Sequence, residues 1–230
     1  MDPELPVVRL CVAGMQAEAE GRTAAARELF QQAWDGARDD YEACIAAHYL
    51  ARHQRSPAET LRWNQECLDR ADLVGDERVQ GFYPSLYVNM ATAYRELGRL
   101  ACAHRYFVLA ADRAADAPEG QYGDWNRFAI AEGLRDTAAA AAAEGDAEAA
   151  RRGRVDVGVE GPVRELLARW CERGELKALG LTLPAYLGYL GTAGDRVRLR
   201  IALHRVHAAR WLPDEEQTWV ERAMGAVDVT

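Results

Sequence analysis

The segment YVNMATAYRELGRLACAHRYFVLA, Tyr87–Ala110, decides the fold. Tyr87, Met90, Ala91 and Tyr94 fall at the three- and four-residue intervals that place side chains on one face of a helix. Gly98 supplies a stop, and Ala103, Phe107 and Ala110 repeat the same periodicity on a second helix. A small residue at Ala91 lets the two helices approach closely, and Phe107 fills the space between them. The segment is therefore a helical hairpin.

Working outward, the pattern recurs. Leu10, Ala13, Gly14 and Ala17 precede Gly21, and Ala26, Phe30 and Ala33 follow it. Between the two copies lies a degraded one, with Cys44, Ala47, His48 and Ala51, then Thr60, Leu61, Cys67 and Leu68. Its second helix opens with Ser56-Pro57-Ala58-Glu59, a capping box with proline at the first helical position. In this copy His48 stands where the others have a small residue, and Asn64 stands where they have phenylalanine.

These residues resemble the tetratricopeptide repeat (TPR) family over about residues 7–115, extended by spacing to 143. The resemblance implies an all-α fold, a right-handed superhelix of antiparallel helix pairs (an α-solenoid). The small slots at Gly14, His48 and Ala91 are 34 and then 43 residues apart. The second interval predicts helices lengthened by about two turns, through Asp72–Tyr83. A fourth first-position helix is predicted over Asp124–Ala143, with Ala131 in the small slot, and a short helix over Ala147–Arg154.

The glycines, proline and valines of 154–162 mark the best domain boundary. The predicted organisation is a TPR-like domain at 1–153 and a C-terminal helical region at 162–230, either a cap on the stack or a separate small domain. Helices are predicted there over 162–178, 184–191, 195–211 and 213–226, started by Thr182-x-Pro184, Asp195 and Pro213.

In the TPR family the concave groove is lined from slots one, four and five residues beyond the small position. Here those slots hold Tyr49, Arg52 and His53, then Thr92, Arg95 and Glu96, then Glu132, Arg135 and Asp136; the first copy has Met15, Glu18 and Ala19. Asn89 lies two residues before the small slot, where the family commonly uses asparagine to hold a ligand backbone. Arg52, Arg95 and Arg135 share one slot, and guanidinium forks bind carboxylates bidentately. The expectation is a groove for a protein or peptide segment, acidic or ending in a free carboxylate. The competing expectation is that each arginine pairs internally with a neighbouring acid. The lysines of the family's carboxylate clamp have no counterpart, since Lys177 is the sole lysine. TPR-containing sensors of signalling peptides in Gram-positive bacteria use a similar groove, and the alanine and arginine bias fits a GC-rich bacterial genome.

Other function classes are weaker. With 28 basic and 36 acidic residues and a net charge of −8, the chain lacks the cationic field of a general nucleic-acid binder. The exception is 195–211, with Arg196, Arg198, Arg200, Arg205 and Arg210. Preceding it, Ala178–Leu190 resembles the turn of a DNA-binding helix-turn-helix, although Pro184–Leu190 offers no Arg, Asn or Gln to read bases. A C-terminal module for nucleic acid or another anion is thus the alternative. No phosphate loop, GxSxG or HExxH motif is present, and no cofactor is implied; a cryptic Cys–His enzyme is the third reading. His204 and His207 with Cys171, and Cys44 with His48, are the metal-like spacings, each short of a full ligand set. Five widely spaced cysteines predict reduced thiols. The N-terminus lacks a signal-peptide pattern and no run is long enough to span a bilayer, predicting a cytoplasmic protein without a membrane partner. Self-association is left open by the sequence.

Overall fold

The computed structural model describes residues 2–154 and 157–228. Among them the chain is all-helical, with no strand. Two compact units divide at Pro118 and Glu119.

The first unit holds α1 (Pro6–Ala19), α2 (Thr23–Asp35), α3 (Asp40–Ala51), α4 (Pro57–Val74), the one-turn α5 (Glu77–Gln80), α6 (Tyr83–Glu96) and α7 (Leu100–Asp112). The pairs α1/α2, α3/α4 and α6/α7 are hairpins; α3 also packs on α1 and α2, and α6 on α4. Helix α3 is consequently covered on most sides. Residues Tyr41–Ala47 are all buried, and so are Leu50 and Ala51, which explains why that copy shows the weakest one-sided pattern.

Local chemistry sets the helix ends. Asp39 and Ser56 cap α3 and α4 by accepting from the backbone N–H of Glu42 (2.8 Å) and Glu59 (3.3 Å). Gly21 and Gly98 turn the first and third hairpins with φ of +75° and +72°, a region that disfavours side chains. At Gly14, an added Cβ would lie 2.3 Å from the Phe30 ring. The absent side chain is what admits Phe30, which is fully buried and whose burial contributes about 1.5–3 kcal/mol.

The long interval between His48 and Ala91 comes partly from the predicted lengthening, since α4 has 18 residues against 13 in α2 and α7, and partly from an added turn. Helix α4 runs 18 residues and stops at Gly75, in the left-handed conformation with φ +61°. The separate turn α5 follows, capped by Asp76, which accepts from Arg78 N–H at 2.9 Å.

The second unit contains α8 (Gln121–Ala143), a 3-10 turn at Ala149–Arg151, α9 (Val157–Arg173), α10 (Leu176–Leu187), α11 (Ala193–Ala209) and α12 (Asp214–Asp228). The unit boundary therefore precedes α8 instead of falling at 154–162. Helix α8 packs on the Ala149–Arg151 turn and on α10, so the predicted fourth repeat helix belongs with the C-terminal helices. The predicted short helix at 147–154 is that single turn, and residues 155–156 of the predicted boundary lie outside the described residues.

Helix α10 begins eight residues before Pro184 instead of at it. The carbonyl that Pro184 leaves without its helical donor belongs to Gly180, which is solvent-exposed. Ala178–Leu187 is thus continuous helix, and the turn required by a helix-turn-helix is missing. Helix α11 starts with a capping box. Thr192 accepts from Asp195 N–H at 3.2 Å, and Asp195 accepts from Thr192 N–H at 3.0 Å. No helix among the described residues is long and apolar enough to cross a membrane.

Candidate functional site

Helix α3 and its C-terminal cap bring Tyr49, Arg52 and His53 together with Glu18 of α1. Arg52 Nη2 and His53 Nε2 share the Glu18 carboxylate, the histidine at 2.8 Å. The Tyr49 and His53 rings each lie 5.2 Å from Phe30, and the Arg52 guanidinium lies 5.1 Å above Tyr49. Partial burial opposes ionisation of Glu18, but the hydrogen bonds and charges of Arg52 and His53 outweigh it and hold its carboxyl below the ordinary range. Arg52 is therefore an internal ion-pair partner as well as a surface cation. The acid that matches it lies four residues beyond Gly14 on α1.

The neighbouring interior is electrostatically quiet. Burial, aided by the Arg52 charge, pushes His48 down to about 4, so its imidazole is neutral near pH 7. Cys44 Sγ faces Cys67 Sγ at 3.6 Å, and Cys67 also reaches the Cys44 carbonyl at 3.2 Å. Burial raises the Cys67 thiol well above its usual value, and Cys11, less the effect of Arg52, to about 12. Asn64 is buried beside them on α4, with both amide atoms unpartnered among the described residues.

On α6, Asn89, Thr92 and Arg95 are half-buried and Glu96 is exposed. The Arg95 guanidinium lies 6.0 Å from the centre of the Phe107 ring. A row of tyrosines crosses α6 and α7. Tyr83 neighbours Tyr87 (5.8 Å), Tyr87 neighbours Tyr106 (6.2 Å), and Tyr106 stacks on Tyr94 (5.3 Å). All four are half-buried, a state common at binding surfaces because the ring is apolar and the hydroxyl polar. The repeat pattern marked Tyr87 and Tyr94 as packing residues; the four-residue step from Tyr83 to Tyr87 was the available signal for a longer row.

Glu132, Arg135 and Asp136 belong to the second unit. Arg135 donates to the backbone carbonyls of Gly153 (3.3 Å) and Leu187 (3.5 Å), tying α8 to the end of α10. A second α8 arginine, Arg127, does the same at Gly188 (3.2 Å) and also reaches Asp195. Asp195 accepts from Leu190 N–H, Thr192 N–H and the Thr192 hydroxyl on one oxygen, and from Arg127 and Arg198 on the other. Asp195, expected as the start of a helix, is instead the third residue of α11, capped by Thr192; nothing local signalled Arg127.

His207 pairs with Glu221 at 2.9 Å, while His204 and Cys171 are exposed. Among the described residues no three His, Cys, Asp or Glu side chains gather as metal ligands. Trp170 is fully buried and donates to Glu216 at 3.0 Å. The chain matches no protein-family model, no curated protein and no solved structure.

Proposed function

We propose that the chain is a TPR-like binding module, a right-handed stack of helix pairs that holds a partner protein or peptide and catalyses no reaction itself. The observation that carries this reading is the approach of Phe30 onto Gly14, the small-against-aromatic packing that the repeat pattern requires. The same 16-residue interval separates Ala91 from Phe107, both buried. The contact surface is the face bearing Tyr49, Arg52, His53, Asn89, Thr92, Arg95 and Glu96.

The pairing of Arg52 with Glu18 modifies the expected ligand. A row of unmatched arginines would favour any carboxylate, whereas a Glu18–Arg52–His53 network offers both donors and an acceptor. A peptide backbone, which also carries both, suits it better than an acidic side chain alone. The test is affinity capture from native cytosol at moderate salt, with Tyr49→Ala, Arg52→Ala and Arg95→Ala variants beside an Arg22→Ala control. A partner lost with the three variants and retained by the control supports the reading. Partner recovery that is indifferent to all three sinks it.

A further inference from the structure

The structure assigns the cleft between α10 and α11 as a site for a small amphipathic oxyanion, a carboxylate or phosphate carried on an apolar body; we propose this independently of the repeat reading. On α11 the residues Arg198, Ile201, Ala202 and Arg205 fall at intervals of three, four and seven, a single helical face. On α10 and its cap, Leu181, Pro184, Ala185 and Gly188 repeat those intervals. Two such stripes ordinarily close on each other as an apolar seam. Here the small residues of α10 and the arginines of α11 leave a cavity of about 290 Å³, with Asp124 and Arg127 of α8 completing its lining.

The charges of the cleft are arranged for an anion. Arg127, Arg198 and Arg205 line the cleft with Asp124, and Asp195 binds the first two. That leaves a surplus of one positive charge in a chain of net charge −8. Asp195 is 1% exposed and already accepts five hydrogen bonds. It anchors Arg127 and Arg198 in place, and its charge is offset by theirs. Arg205 is exposed and forms no ion pair with any described residue. Two arginines held by a buried carboxylate and a third left unmatched form a preorganised receptor for a planar or tetrahedral oxyanion.

The walls define the rest of the ligand. Leu181 and Ile201 are 40% and 44% exposed, and they flank the arginines. Ile201 and Arg205 also line an adjoining concavity of about 460 Å³ with Arg200, His204 and Met224, a route for a longer apolar tail. The volume lies near the lower end of small-molecule pockets. A single surplus cation suits one head group and is too little for a nucleic-acid backbone, whose binding needs a run of cations.

The test is calorimetric titration of the full chain with octanoate and with octyl phosphate, beside acetate, inorganic phosphate and octanol. Saturable binding of either octyl anion is expected, with its headless and tailless counterparts about tenfold weaker or worse, the first through loss of a charged hydrogen bond and the second through loss of apolar contact. Which octyl anion binds more tightly identifies the head group. Arg205→Gln should weaken binding about tenfold and leave the unfolding midpoint of the free protein unchanged, because this side chain holds nothing else. Arg164→Gln, on α9, should leave binding unchanged. The proposal is overturned if neither octyl anion binds, if octanol or inorganic phosphate binds as well as its octyl anion counterpart, or if Arg205→Gln has no effect.

Discussion

Asp195 at the start of α11 holds Arg127 of α8 across 68 residues of chain, with the carboxylate 1% exposed and the guanidinium side chain 15% exposed. The other Asp195 oxygen gathers the backbone of the preceding loop at Leu190 (3.1 Å) and Thr192 (3.0 Å). One carboxylate thereby fixes a loop, caps a helix and docks a second helix. Burial works against the charge on Arg127 and pulls its pKa below the usual arginine value, while Asp195 opposes that effect.

Removing the two partners should have unequal consequences. Asp195→Asn leaves Arg127 buried without its counter-charge and replaces one of the two acceptor oxygens with an NH2 group that faces donors. The expected cost is about 3–5 kcal/mol. Arg127→Met removes the buried cation, and Asp195 keeps Arg198, two backbone donors and a hydroxyl, so its cost should be smaller. Urea unfolding of both single variants and the double variant checks this. The double variant should be less destabilised than the sum of the two.

The middle hairpin of the first unit makes a second prediction. Gly14 and Phe30, His48 and Asn64, and Ala91 and Phe107 are each 16 residues apart. The middle pair has the larger ring on the first helix and the smaller side chain on the second, the reverse of its neighbours. Asn64→Phe alone should overpack the hairpin by about 1–3 kcal/mol, and His48→Ala alone should leave a void. Together they recreate the arrangement of the flanking hairpins and remove an unpartnered buried amide, itself costing about 1–3 kcal/mol. The double variant should therefore be more stable than either single one. A double-mutant cycle in denaturant measures the coupling; simple additivity would show that the two positions do not share one space.

That hairpin also shows what the sequence could convey. Period and small residues located Gly14, Phe30, Ala91 and Phe107, and the cap at Ser56, because each depends on neighbours within a turn or one hairpin. The substitution of both His48 and Asn64 was visible, and so was their packing role. The division ahead of α8 was not, because an alanine-rich helix with Ala131 in register fits either unit until its contacts are known. Pro184 misplaced the start of α10, since a proline whose lost bond faces solvent can sit inside a helix. Of the candidate site, the α3 face was legible but its neutralisation by Glu18 required pairing across 34 residues. The hub at Asp195 was reachable only as a helix start.

The cysteines should separate by exposure. Cys171 is exposed and Cys102 half-buried, while Cys11, Cys44 and Cys67 are buried, two of them with thiols pushed above their usual values by burial. Thiolate is the reactive form. Alkylation of the native protein at pH 8, followed by peptide mass spectrometry, should label Cys171 first and Cys102 more slowly. The other three should react only after denaturation. Early labelling of Cys44 or Cys67 would mean that the α3/α4 hairpin opens without global unfolding.

His48 gives the first unit a defined acid sensitivity. Its ordinary value of 6.5 is depressed to about 4 in the folded state, chiefly by burial. Between those values the unfolded chain binds a proton that the native chain does not, so stability rises with pH across the window. Acidification from about pH 6.5 to about pH 4 should therefore cost up to about 3 kcal/mol through this residue. Glu18 acts in the same direction at lower pH, because its folded value is also depressed and its pairing with Arg52 and His53 is lost on protonation. His48→Gln separates the two contributions by removing the titrating ring. Urea midpoints taken from pH 7 to pH 4 should fall steadily for the parent and stay nearly level for His48→Gln until Glu18 begins to protonate. Parallel curves for the two proteins would mean that the imidazole reaches solvent when it is charged.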